Sequence, residues 1–190
     1  MPFYLEEVDL ATEVENLNSV LIVPCRFCPA ASLAVKSEEP YLEPLRRGLK
    51  TSSYERFVEQ VKEGLERKRI RADVFRSRLP HQFVLCMWSA NRRNQLAERA
   101  KDYDAVLVLG CEGAVQTVRS ALGPVDRRVI QGMECQGLMS VKPRLSFPGR
   151  LSLGLDSVNP RLRLEAPSPL SMGSPSTATE SSAGAVDLGR

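Results

Sequence analysis

The stretch AVLVLG, residues 105–110, constrains the fold more than any other in the chain. It carries no charge, is rich in valine and leucine, and ends on glycine. A strand with one face in water alternates polar and apolar residues. This one does not, so both faces must be covered, as in a parallel strand between two helical layers. SVLIVP, Ser19–Pro24, has the same character. Shorter apolar runs at 70–75, 128–131 and 151–155 read as further strands.

Between these runs the period changes from two to that of a helix. In TSSYERFVEQVKEGLERK, Tyr54, Phe57, Val58, Val61 and Leu65 share one face while lysines and glutamates occupy the other. Ser52 or Ser53 caps it, and Glu55 stands in the first turn, where negative charge suits the helix dipole. Residues 90–101 and 113–122 also read as helices. Strands alternating with helices predict an α/β fold with an open, mostly parallel sheet flanked by helices. Residues 79–88 are ambiguous, 36–53 read as a loop or broken helix, and the apolar positions of the N-terminal arm suggest a short docking helix.

The chain has 190 residues, 43% of them hydrophobic, which suits one domain over 1–158. Residues 159–190 are rich in Pro, Ser, Ala and Gly with no aromatic residue, and are expected to form a disordered tail. A formal net charge of +3 is compatible with an acidic partner, and no nucleic-acid partner is expected. No run approaches the roughly 20 apolar residues of a membrane span, and the N-terminal stretch is acidic, unlike a signal peptide. A cytoplasmic location follows as the expectation. Five cysteines in a reducing compartment should be free, metal-bound or catalytic.

Their placement carries the functional reading. Cys25 and Cys28 follow the first buried strand, and Cys111 follows AVLVLG. Both are strand carboxyl ends, which in a parallel sheet share the edge where doubly wound folds bind ligands. Cys86, in FVLCMW, is a candidate from a third loop. Cys25, Cys28, Cys86 and Cys111 would form a four-thiolate set suited to zinc or to a 4Fe-4S iron–sulfur cluster. Alternatives stay open: the four cysteines could hold a structural zinc in a protein-interaction module with no redox role, each cysteine alone is a small buried hydrophobe, and Cys25 with Cys28 is also a dithiol of a thioredoxin-type thiol oxidoreductase. Cys135 is either a spare thiol or a ligand in place of Cys86. His81 is the only histidine and reads as a polar loop residue. Glu112 and Glu134 flank the expected site, and Arg67, Lys68, Arg69 and Arg71 form a charge run for solvent or an acidic partner. No P-loop, GxGxxG or GxSxG is present.

Strand, Cys-x-x-Cys, a middle cysteine and then LVLGCEGAVQTV resemble the C-terminal domain of methylenetetrahydrofolate reductase-type proteins. In bacterial two-subunit reductases that domain is the small subunit, associated with a flavin-bearing catalytic subunit. The family is described as metal-binding, with zinc or iron–sulfur invoked. The resemblance covers roughly residues 18–145 and implies Cys25, Cys28, Cys86 and Cys111 as ligands, with Gly113, Val115 and Gln116 in the turn and helix that follow. Gly113 and Gln116 are its cofactor-binding candidates. The chain departs from the family where Arg26 stands in place of glycine, where Glu112 follows the third-motif cysteine, and at 36–53, which reads as an insertion. The resemblance implies an accessory or electron-transfer subunit serving a catalytic redox protein of one-carbon metabolism, rather than a self-sufficient enzyme.

Overall fold

The two uncharged runs lie side by side in the computed structural model, which describes residues 2–76, 82–123 and 125–160. In chain order the elements are β1 (Phe3–Glu7), β2 (Ser19–Pro24), α1 (Cys28–Lys36), α2 (Pro44–Arg47), α3 (Ser52–Arg67), β3 (Arg71–Val74), α4 (Ala90–Ala100), β4 (Ala105–Leu109), α5 (Glu112–Leu122), β5 (Arg128–Gln131), β6 (Met133–Ser146) and β7 (Arg150–Pro160). β2 pairs with β4 in parallel from Val20 opposite Ala105 to Pro24 opposite Leu109. β3 joins the outer edge of β2 and β5 that of β4, giving a parallel sheet in the order β3-β2-β4-β5. All five residues of β4 and five of the six in β2 are buried. Their lack of charge is thereby explained: each side chain meets protein on whichever face it points to.

Helices supply that cover. α3 packs on β3 and α1, while α5 packs on β4, β5 and α4. From β2 the chain goes on to β3 at one edge, and from β4 to β5 at the other. The strand order therefore reverses between β2 and β4, and a crevice opens at their carboxyl ends. The expected parallel sheet flanked by helices is present.

The structure adds a second sheet, antiparallel, in the order β1-β6-β7. Its first strand is the N-terminal arm, where the docking helix was expected. Phe3 and Leu5 alternate with Tyr4 and Glu6, Leu5 is buried, and its N–H donates to Ser32 Oγ of α1 at 2.9 Å. The pairing of β1 with β6 satisfies backbone groups that an isolated short helix would leave open. The strand expected at 151–155 exists within β7, in this second sheet. β7 also takes in Asn159 and Pro160, which sequence had assigned to the tail; the remainder of that tail lies outside the described residues.

Two local features escape pattern reading. α1 begins directly at Cys28, with Pro29 in its first turn, where the missing N–H has no helical partner to lose. Gly137, at φ +155°, lies where a Cβ would stand 2.1 Å from the Asn159 carbonyl oxygen, so only glycine lets β6 and β7 close there. Within 36–53 the chain forms the four-residue α2, the broken helix expected, tied to β7 by a bridge between Leu42 and Leu151. Among the described residues, no helix is long and apolar enough to cross a membrane.

Candidate functional site

The crevice between the ends of β2 and β4 is built around one carbonyl. Leu109, the last residue of β4, accepts from the Cys25 N–H at 2.9 Å and from the buried Tyr54 hydroxyl of α3 at 3.1 Å. These bonds fix Cys25 beside β4. Gly110 lets the chains meet, since a Cβ there would stand 3.1 Å from Cys25 Cβ and 2.7 Å from Ala114 Cβ. The chain then turns into α5 with Cys111 as N-cap.

Three thiols come together in this crevice. Cys25 and Cys111 are buried and Cys28 is half-buried. The Cys28 thiol, at the first position of α1, donates to Cys111 Sγ. That bond, reinforced by the backbone N–H groups of Ala114 and Gly113 at the start of α5, lowers the pKa of Cys111 to about 6 against burial and Glu112, which oppose it. Cys28 holds its proton correspondingly hard: the same bond, then burial, push its pKa far above the ordinary thiol range. Cys25 is raised to about 11, chiefly by burial, although the N–H groups of Leu85 and Phe27 reach its sulfur. Of the three, Cys111 is the one whose charged form is favoured, and the N–H groups at the start of α5 support it.

Two tyrosines border the thiols, and sequence reasoning did not single them out for the site. Burial and the nearby Cys28 and Cys25 raise the pKa of Tyr41, and Tyr54 is raised well above its ordinary value by burial and then Cys25. Tyr54 is legible only as a core position of an amphipathic helix. Tyr41 lies in the segment read as an insertion and gives no signal in the sequence.

The remaining candidates are more scattered. Cys86 sits in a 3-10 turn, Leu85–Met87, that buries Leu85 and exposes both Cys86 and Met87. It stays within electrostatic reach of Cys25 but outside the buried group. Cys135 is on β6 opposite Leu5, its sulfur 3.8 Å from the Gly137 carbonyl oxygen. Gly113 is at the thiols through its N–H, whereas Gln116 is exposed one turn along α5. Glu112 is in the first turn of α5, close enough to act on Cys111. Glu134 is exposed on β6, opposite Glu6. His81 lies outside the described residues. Arg67, Lys68, Arg69 and Arg71 stand where α3 leads into the start of β3, at the sheet edge opposite the thiols, and Arg71 stacks 4.6 Å from the Tyr103 ring centroid.

Arg26, between the two cysteines, is buried with its guanidinium turned to α3. Nε meets Glu55 Oε1 at 2.6 Å, Nη2 meets Oε2 at 3.3 Å, and its backbone N–H donates to the Phe83 carbonyl at 2.7 Å. The loop between the two cysteines is thus clamped at its middle.

In kind, the donor set suits a soft metal: three sheltered sulfurs, with peptide N–H groups already reaching each of them. As placed, they form a hydrogen-bonded pair with a third thiol beside it. Among the described residues, no three of the Cys, His, Asp and Glu side chains stand as a ready cage for a single ion. The fold and site define a doubly wound α/β protein with a cysteine centre at the point where strand order reverses. Comparison with known proteins goes no further, since no family model, curated protein or solved structure matches the chain.

Proposed function

We propose that this chain is an accessory protein holding a thiolate-ligated metal group, an iron–sulfur cluster in preference to zinc, on Cys25, Cys28 and Cys111, with Cys86 as the fourth ligand. The observation that carries this reading is the convergence of sheltered cysteines from two strand ends more than eighty residues apart, near enough in the crevice for Cys28 and Cys111 to perturb one another's titration. Burial supports a bound group over open thiol exchange, because Cys111 is 8% and Cys25 3% exposed, leaving a bulky disulfide little access.

When bound, such a cluster supplies one-electron transfer. The chain's own part is definable from its residues. Cys28 gives up the proton it shares with Cys111, so loading releases protons. Peptide N–H groups of Leu85, Phe27, Gly113 and Ala114 stabilise charge on sulfur. Tyr54 and the Leu109 carbonyl hold the loop against β4. Service to a methylenetetrahydrofolate reductase-like or other one-carbon redox enzyme rests on motif resemblance alone.

Anaerobic preparation followed by iron, sulfide and zinc analysis tests the proposal. Stoichiometric iron and sulfide, lost in Cys28→Ser and Cys111→Ser, is the expected result. A second reading is favoured by the shared proton itself: a redox dithiol made of Cys28 and Cys111, rather than the Cys25 and Cys28 of the motif. A metal-free, well-folded protein that forms a Cys28–Cys111 disulfide on oxidation would replace the first reading with this one.

A further inference from the structure

The Cys25–Cys28 loop has a second face. Beyond Arg26 lies an open cleft of about 1230 Å³, running along the edge strand β3 between α3 and α4. Its walls follow from helix periodicity. Arg92 and Arg99, seven residues apart, lie on one side of α4, and Glu55 and Glu59, four apart, lie on one side of α3. Arg76 just beyond β3, Lys50 before α3 and Arg26 complete a lining with five basic and two acidic residues.

The positive excess is only partly compensated. Glu55 is engaged by Arg26, and Glu59 lies 3.7 Å from Lys62. Arg92 donates to neutral acceptors, Gln95 Oε1 at 2.9 Å and the Arg76 carbonyl at 2.6 Å, and stacks 4.1 Å from the Phe75 ring centroid. Burial lowers its pKa, showing the cost of holding that charge away from water. Of the three shielded guanidinium atoms without an acceptor among the described residues, two belong to residues that line the cleft, Arg26 Nη1 and Arg92 Nε, and the third, Arg93 Nε, does not. Arg26 is only 9% exposed. A buried guanidinium donor without an acceptor is costly to keep, and an anionic oxygen is the partner that best satisfies it.

We propose that this cleft is a binding site for a small organic polyanion, whose carboxylate or phosphate oxygens are taken by Arg26 and Arg92 and whose remaining charge is met by Arg76, Arg99 and Lys50. The cleft exceeds the roughly 300–1,000 Å³ usual for ligand pockets, so a bare inorganic ion would leave most of it empty. Burial favours a small molecule over an acidic protein face, since the most enclosed cation of the lining, Arg26, is almost wholly covered. The site is separate from the thiols and does not depend on a metal being bound there.

Calorimetric titration of the full chain at matched ionic strength tests this, with citrate as the carboxylate probe, ADP as the phosphate probe and a glutamate-rich peptide as the macromolecular competitor. Saturable one-to-one binding of citrate or ADP is expected, and which of them binds identifies the anion class. Arg92→Gln should weaken it about tenfold or more, the worth of one charge-assisted hydrogen bond. Because Arg92 also stacks on the core, Arg99→Gln serves as an exposed second variant, expected to weaken binding several-fold. Arg67→Gln, outside the cleft, should bind as wild type. Absence of saturable binding by citrate and ADP, tighter binding of the peptide, or equal weakening by Arg67→Gln and Arg99→Gln would each overturn the proposal.

Discussion

Adding one methyl group to glycine should have opposite effects at two positions, and the structure says why. Gly110 joins β4 to α5. A Cβ there would lie 2.7 Å from Ala114 Cβ and 3.1 Å from Cys25 Cβ. Ordinary carbon contacts begin near 3.5 Å, so the gaps must open by about 0.8 and 0.4 Å. Both obstacles are Cβ atoms fixed to backbone, so no side-chain rotation relieves them and α5 must move away from the Cys25 loop. Overpacking of this kind costs about 1–3 kcal/mol, and the lower entropy of unfolded alanine returns at most about 1. A net loss of about 1–2 kcal/mol is expected for Gly110→Ala. With a urea slope of roughly 1–3 kcal/mol/M, the unfolding midpoint should fall by about half to one molar. Gly64 lies inside α3, and its nearest obstacle is the flexible end of Arg67 at 3.9 Å. There alanine should stabilise by about 0.5–1 kcal/mol through helix propensity. Urea denaturation followed by circular dichroism measures both. If the two midpoints rise together, close approach at Gly110 is not what positions the thiols.

Ser32→Ala removes the acceptor of the buried Leu5 N–H and the hydroxyl that also meets the Phe3 and Cys28 carbonyls, so a loss of about 1–3 kcal/mol is expected, read by the same denaturation; an unchanged midpoint would mean that β1 does not depend on this link to α1. Cys28→Ala deprives Cys111 of its thiol donor, so the Cys111 titration midpoint should climb from about 6 toward the ordinary 9.0, stopped short by the Gly113 and Ala114 N–H groups. Peptide-resolved alkylation of the metal-free protein across pH follows this, and a midpoint still near 6 would remove the thiol–thiolate bond from the account. For the whole chain without metal, Cys111 is more acidic folded than unfolded, so its contribution is present above 9.0 and lost as pH falls through about 6. Cys25 has the opposite sign: its neutral form stabilises the fold below 9.0, and this is lost as pH rises through about 11. Stability should therefore climb between about pH 6 and 9 and decline above, and a profile flat across the first interval would contradict the assigned thiolate.

The parts of this fold legible in the sequence are those where one physical demand dominates. β2 and β4 are covered on both faces, so charge is excluded and the run is unmistakable. α3 has one face in water, and its period shows. The second sheet was hidden for the opposite reason. Met133, Gly137 and Met139 of β6 face inward and Glu134, Gln136 and Leu138 outward, but the inward set holds a glycine and the outward set a leucine, which blurs the alternation. α1 was hidden by its prolines, since Pro24 and Pro29 suggest a loop although the second is compatible with a helix start. For the site, strand ends on one edge correctly brought Cys25, Cys28 and Cys111 together. The choice of partner was beyond sequence, because it depends on how α1 turns Cys28 toward α5. Cys86, a candidate from a third loop, was set apart by local geometry that the apolar run FVLCMW does not reveal: the 3-10 turn sends Leu85 inward and Cys86 outward.

Arg26 joins these observations. In the sequence it is a departure from glycine between two cysteines, and such a long, charged residue would ordinarily be expected to point into water. It is instead buried, and a buried guanidinium is tolerable only where its donors are met. Glu55 meets two of them, which ties the thiol loop to the first turn of α3. Phe83 meets its backbone N–H, which ties the same loop to the segment before the Leu85 turn. The donor left over, Nη1, borders the basic cleft. One residue thus holds the spacing of Cys25 and Cys28 while presenting unspent hydrogen-bonding capacity on the far side of their loop. The residue between the two cysteines is thus the one that physically connects the cysteine centre to the basic cleft.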